Sequence, residues 1–223
     1  MGGEAMSDAS HLQHLRRLIV HFTHVNNLPG ILAAGCLQAD GLVARGSSLV
    51  TEAADLDIKA RRRAVPVPLP PYGTVADYVP FYFAPRSPML FKLHKGGVLS
   101  YTEGQDPLIY LVTTVEAVTA VGLRSVFSDG NCAAAITQFY ADLNRLDSVI
   151  DWQLMGETMW NNTADDPDRM RRRMAEFLVH ERLPVSRLAG IVARTESMRG
   201  RVERILAEHG SPVPVRVQPG WYF

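Results

Sequence analysis

Leu18-Ile19-Val20-His21-Phe22-Thr23-His24 is dominated by β-branched and aromatic residues and reads as a strand. Alternation along it puts His21 and Thr23 on one face and Phe22 and His24 on the other. Just before it, residues 12–18 read as a short amphipathic lead-in. Just after it, Asn26 or Asn27 can cap a helix that has Pro29 in its first turn and Gly35 at its end. A second apolar run at residues 108–115 is expected to be a buried strand that leads into a helix or turn. Further strands are expected at 78–83, with Pro80 marking a strand start or an edge, and at 188–193 and 213–217. Helices are expected from the Pro85-Arg86-Ser87-Pro88 turn onward, from Cys132 to Leu146 after an Asp129/Asn131 turn, and over at least part of 170–179. Residues 40–64 read as a polar loop with one helix, and the proline-rich 65–71 as an extended surface connection. Strands do not alternate regularly with helices, so the expected fold is α+β with a mostly antiparallel or mixed sheet.

The chain has 223 residues, 47% of them hydrophobic and 21% charged, which suits one globular domain over residues 11–223 behind a disordered leader at 1–10. No apolar run approaches the roughly 18 residues that a membrane span needs, so no membrane role is expected. Cys36 and Cys132 have no metal-type or disulfide-type spacing, which suggests a reducing, cytoplasmic setting. Net charge is zero, with 23 basic and 23 acidic residues, which argues against a non-specific polyanion binder. The triplets Arg61-Arg62-Arg63 and Arg171-Arg172-Arg173 still allow a local basic groove, although such runs are more often solvated faces.

Three features can carry chemistry. His21 and Thr23 are either satisfied strand-end groups or hydrogen-bonding partners for a ligand amide or ribose hydroxyl. Tyr82, with Arg86, Ser87 and Met89 after it, is either a strand-to-helix connection or a stacking surface with a guanidinium near a pyrophosphate. Glu176, between apolar neighbours in Ala175-Glu176-Phe177-Leu178-Val179, is a partly buried carboxylate and must be paired or functional, because desolvating it alone costs several kcal/mol. There is no Gly-rich phosphate loop, Gly-x-Ser-x-Gly elbow or His-Glu-x-x-His.

The order and spacing of five blocks go further: His21-Phe-Thr-His-Val-Asn-Asn-Leu-Pro-Gly30, Arg61-Arg62, Tyr78-Val-Pro-Phe-Tyr-Phe-Ala-Pro-Arg-Ser-Pro-Met-Leu90, Ser128-Asp-Gly-Asn131 and Arg173-Met-Ala-Glu-Phe-Leu-Val179. Together with the closing Pro219-Gly-Trp-Tyr-Phe223, they closely resemble the DarT toxins, DNA ADP-ribosyltransferases of toxin–antitoxin pairs. The resemblance implies an ADP-ribosyltransferase fold, a mostly antiparallel split sheet with NAD⁺ as substrate in its cleft. In that cleft His21 and Thr23 would hold the nicotinamide side and Asn27 would lie close to the adenylate. Tyr82 would be the middle member of a His–Tyr–Glu-like set, and Arg86 would sit by the pyrophosphate. Glu176 would be the catalytic glutamate, assisted by an arginine of the Arg61-Arg62 pair, with Arg62 favoured. No metal is expected.

The implied reaction transfers ADP-ribose to a base of single-stranded DNA, thymidine foremost, with guanosine, RNA or protein as alternative acceptors. A non-catalytic NAD⁺- or DNA-binding module is the reading from another class. The target base must be unstacked, which favours single strands. Met89, Asn131, Trp160, Arg171 and Arg172 are the expected DNA contacts, and Phe139, Tyr140 and Trp152 further stacking candidates. The bland alternative makes Trp152 and Trp160 core residues and the arginines a solvated face. The implied partner is a DarG-type antitoxin with a macrodomain.

Overall fold

The sheet is built around the strand that is apolar on both faces. A computed structural model describes residues 13–46, 56–98 and 100–223, and the expected leader at 1–10 lies outside them. Leu108–Thr114 (β4) is buried at all but its last residue, as a central strand must be. Leu18–His24 (β1) pairs with it along its whole length, from Leu18 opposite Thr114 to His24 opposite Leu108. The other strands of the large sheet are Tyr78–Tyr82 (β3), Ser125–Ser128 (β5), Phe139–Tyr140 (β6), Glu176–His180 (β7), Gly190–Ala193 (β9) and Val215–Val217 (β10). Their order is β10-β9-β4-β1-β3-β7-β5-β6, and Cys36–Gln38 (β2) pairs with Arg182–Pro184 (β8) in a small second sheet. Every pairing is antiparallel except β9 with β10. That parallel pair needs a crossover, which the helix Glu196–Glu208 supplies. The α+β class and the mostly antiparallel sheet are as expected.

Alternation sorts the core into two layers. Ile19, Phe81, Ile109, Leu111, Phe177 and Val179 pack on one face. Val20, Leu90, Tyr110, Val112, Val192 and Tyr222 pack on the other. Each such side chain contributes about 1.5–3 kcal/mol when fully buried.

The sheet is split between β1 and β3, which share the single register pair Val20–Tyr82. Pro80 therefore stands inside the sheet and not at an edge or strand start as expected. Its carbonyl accepts from His21 Nδ1 at 2.8 Å, on the β1 side. The missing N–H thus faces the gap, where no ladder bond is lost. The proline is compatible with a central strand because the sheet opens there.

Three other expectations are corrected. Residues 132–146 form no continuous helix; they hold tight turns, β6 and a short 3₁₀ turn at Leu143–Arg145. Polar side chains capture the backbone there: Ala133 N donates to Asn131 Oδ1, Thr137 Oγ1 to Asn131 O, and Gln138 N to Asp129 Oδ1. The helix expected over part of 170–179 is present as Arg169–Arg173, and the rest of that stretch is corrected to strand, β7 beginning at Glu176. The 40–64 region carries two helices in its described part, Asp40–Gly46 and Leu56–Ala64.

Candidate active site

Glu176 opens β7 directly opposite Tyr82 of β3, so the two side chains share a face. The carboxylate is 1% exposed and must be neutralised. Arg62, from the helix Leu56–Ala64, does this: its Nη1 lies 3.0 Å from Oε1 and 2.8 Å from Oε2. Oε1 also accepts from Cys132 N at 3.3 Å. Of the two candidate arginines the structure brings Arg62 to the carboxylate and leaves Arg61 exposed. Burial is the largest influence on Arg62 and works against its charge, but the groups around it, Glu176 foremost, together hold the guanidinium above its ordinary pKa. Its Nη2 is buried with no hydrogen-bond partner among the described residues.

An open cavity lies over the split. His21, Phe22 and Thr23 of β1 line it, with Asn27, Gly30, Gln38, Lys59, Arg62, Pro80, Tyr82 and Met89. The gap explains how His21 and Thr23, on one face of β1, meet Tyr82 on the other: one opening reaches both. Glu176 does not itself line the cavity, because Arg62 covers it. His21 is part-buried, and burial, with the Arg62 charge as a lesser contribution, lowers its pKa to about 4 against the opposing pull of the Pro80 carbonyl. The ring is thus neutral at physiological pH. A carbonyl only accepts, so Nδ1 carries the proton and Nε2 is left as an acceptor. Asn27 Nδ2 donates to Thr23 Oγ1 at 3.1 Å, which ties the turn after β1 back to the strand. The Tyr82 ring stacks on Phe22 at 6.4 Å. Burial first, then the Glu176 carboxylate, pushes its phenol pKa up, so it stays protonated. Burial and Glu176 likewise keep the Cys132 thiol protonated, which makes it a packing group rather than a nucleophile.

The other expected residues lie elsewhere. Arg86 does not line the cavity. Its Nη1 donates to Tyr222 O at 2.9 Å and its guanidinium stacks over Phe223, because a left-handed backbone (φ 56°) turns it toward the C-terminal residues. Trp160 is 4% exposed and packs edge-on to Phe91 and Phe223. Trp152 packs against Phe83 under the Arg17 guanidinium, and Tyr140 stacks on Phe127. Asn131 spends its carbonyl on Ala133 N. Arg171 is bound to Asp168 and Asp129, and Arg172 to Asp166 and Asp151. Arg173, the third of the run, donates to the carbonyls of Leu154, Met155 and Pro85. Sequence reading missed the cavity residues Lys59 and Gln38. Lys59 could have been found, because it lies three residues before Arg62, one helical turn away on the same face.

Among the described residues no three His, Cys, Asp or Glu side chains converge as metal ligands do, and no helix is long and apolar enough to cross a membrane.

A sheet split around a cavity, with a buried glutamate leading the strand beyond the gap, places the protein among the ADP-ribosyltransferases. More closely, the chain belongs to the DarT family: the family model described as "ssDNA thymidine ADP-ribosyltransferase, DarT" matches residues 20–223. A DNA ADP-ribosyl transferase of Mycobacterium tuberculosis is 35% identical over 209 residues, 92% of this chain and 89% of that protein. The DarT of Thermus sp. 2.9 in complex with ADP-ribosylated single-stranded DNA superposes with a TM-score of 0.87 at 33% identity, covering 93% of this chain and 97% of that one. The same protein in complex with NAD⁺ superposes at 0.83 and 31% identity, covering 93% and 98%. A DNA ADP-ribosyl transferase–DNA ADP-ribosyl glycohydrolase fusion protein of Thermosipho africanus is 22% identical over 209 residues; this chain matches half its length.

Proposed function

We propose that the chain cleaves NAD⁺ between nicotinamide and ribose and transfers the ADP-ribose to the ring nitrogen of a thymine in single-stranded DNA, with Glu176 as the catalytic carboxylate and Arg62 as its partner. The observation that carries this reading is the buried Arg62–Glu176 pair at the cavity, with one guanidinium nitrogen on the carboxylate and the other without a partner.

The bond to nicotinamide breaks with its electron pair leaving on the pyridine nitrogen, so nicotinamide departs neutral and the ribose carbon becomes oxocarbenium-like. The negative charge of Glu176 stabilises that carbon. Oε1 already accepts two hydrogen bonds and Oε2 one, so Oε2 is the oxygen left to take a ribose hydroxyl or the thymine N–H proton. Arg62 covers the carboxylate, so its side chain must move partly off for Glu176 to meet NAD⁺. Arg62 Nη2 then reaches a thymine carbonyl, which makes the neighbouring N–H more acidic. The imide nitrogen gives up its proton and bonds to the ribose carbon. His21 Nε2 and Thr23 orient the nicotinamide riboside, Asn27 steadies Thr23 and itself lies toward the adenylate, and Tyr82 and Met89 form the apolar walls.

The rest of the cellular setting follows from the same reading. The enzyme acts in the cytoplasm, where NAD⁺ and transiently single-stranded DNA are found. A DarG-type macrodomain partner reverses the modification, a pairing supported by the fused glycohydrolase of the Thermosipho protein.

The test is a panel of oligonucleotides, single- and double-stranded, differing in one base and incubated with labelled NAD⁺. Label should appear on thymidine in single strands. Label confined to guanosine, to RNA or to protein would replace the acceptor, and no NAD⁺ turnover with any of them would leave a binding module.

A further inference from the structure

The arginine run before Glu176 looks from sequence like a phosphate-binding element, but the hydrogen bonds of Arg171 run inward. We propose that Ser128 and Arg171 are positioning residues for Glu176: together they fasten the turn 128–132 so that the Cys132 N–H meets the carboxylate. The inference rests on Glu176 being the catalytic carboxylate.

Ser128 ends β5, across the sheet from Glu176, and is fully buried. Its hydroxyl accepts from Glu176 N at 3.1 Å and from Cys132 Sγ at 3.3 Å, and donates to Gly130 O at 2.7 Å. One donor and both acceptor sites are thus used. The same hydroxyl therefore fixes the main chain at the carboxylate and the turn that reaches its Oε1. Arg171 closes the turn from outside. Its Nε and Nη2 grip Asp168 at 2.7–3.1 Å, and its Nη1 reaches Asp129 Oδ1 at 2.9 Å and Thr137 Oγ1 at 3.3 Å. These contacts leave one of five guanidinium N–H groups for anything else. Its main-chain carbonyl accepts from Asn131 N at 3.0 Å. Gly130 is part of the device: a Cβ there would lie within 3.0 Å of Arg171 Nη1 and Cζ, so the arginine side chain in this position needs a residue without one beneath it. The loop and the short helix Arg169–Arg173, which runs into β7, are thereby locked as one unit around the carboxylate.

The two roles of Arg171 separate in kinetics. A residue that places a catalytic group changes kcat and leaves substrate binding alone. A phosphate contact weakens oligonucleotide binding at every sequence and lowers the slope of log K against log salt by about one. Arg171→Gln and Ser128→Ala are compared with the wild-type enzyme on a thymidine oligonucleotide with NAD⁺, after thermal melting confirms folding. Both should lose tenfold or more in kcat, with the oligonucleotide Kd, its salt slope and the KM for NAD⁺ within about twofold of wild type. Hydrogen exchange of the 129–137 amides should quicken in both. A raised oligonucleotide Kd with a shallower salt slope in Arg171→Gln would overturn the proposal in favour of a phosphate contact, and an unchanged kcat in either variant would overturn it outright. If Arg171→Gln does not fold, Ser128→Ala decides, since it alters no charge. Wild-type turnover on the same oligonucleotide checks the underlying reading separately, and the exchange rates test the cradle even if the acceptor proves to be different.

Discussion

Removing either member of the Arg62–Glu176 pair strands the other in a site that water barely reaches. The glutamate is 1% exposed and the arginine side chain 16%. Breaking a buried pair by removing one partner costs about 3–5 kcal/mol, whereas replacing both with uncharged groups of similar volume is often close to neutral. Arg62→Met and Glu176→Gln should therefore each lose about 3 kcal/mol, the lower end because Arg62 keeps some solvent. The double variant should fall within about 1–2 kcal/mol of the wild type. The cycle then yields a coupling of roughly 4–5 kcal/mol, far beyond the few tenths expected of independent sites. Urea unfolding followed by circular dichroism measures it. With m near 2 kcal/mol/M, each single variant should shift its midpoint by about 1.5 M and the double by about 0.5–1 M. If the two single losses simply add in the double variant, the pair is not the buried unit described, and the chemistry built on it fails.

Two further outcomes follow from the cavity. His21 has a folded pKa of about 4 against 6.5 when unfolded, so the unfolded chain takes up its proton first; the stability from keeping the ring neutral is complete above pH 6.5 and lost as pH falls toward 4. Between pH 7 and 4.5 the wild type should lose about 2 kcal/mol more than His21→Gln in urea unfolding, and parallel pH curves would refute a buried neutral ring. Tyr82→Phe keeps the ring and should leave the KM for NAD⁺ within about twofold, while Tyr82→Ala should weaken NAD⁺ binding by about 1–3 kcal/mol if the ring stacks on a flat group; equal behaviour of the two variants in titration calorimetry would remove that role.

Much of this arrangement is legible in the residues, unevenly. The Leu18–His24 strand is found to the residue, and β4, β9 and β10 nearly so, because their apolar runs outweigh any competing pattern. Glu176 stands out because an isolated carboxylate among apolar residues demands a partner. Which arginine answers it depends on helix phase, and one residue of rotation separates a part-buried Arg62 from an exposed Arg61. The helix Glu196–Glu208 went unread although its signals are present: Thr195 caps Met198 N, and Met198, Val202, Ile205 and Leu206 fall on one apolar stripe. The 132–146 region misleads because Asp129 and Asn131 favour a helix cap in sequence and, with Thr137, bind loop backbone in the fold. Pro80 misleads because no local pattern reveals that the sheet opens beside it. Asp166 and Asp168, which stand just before the arginine run in sequence, each hold one of these guanidinium groups, but only the fold shows that Arg172 and Arg171 turn toward them.

The central claim is that the Glu176 carboxylate does the chemistry, and the Glu176→Gln enzyme tests it most directly. Gln keeps the shape of the side chain and removes its charge and its ability to take a proton. With a thymidine oligonucleotide and labelled NAD⁺, under conditions where the variant is folded and still binds NAD⁺, kcat should fall by about a thousandfold or more, roughly 4 kcal/mol of transition-state stabilisation. Transfer within tenfold of the wild-type rate would contradict the account.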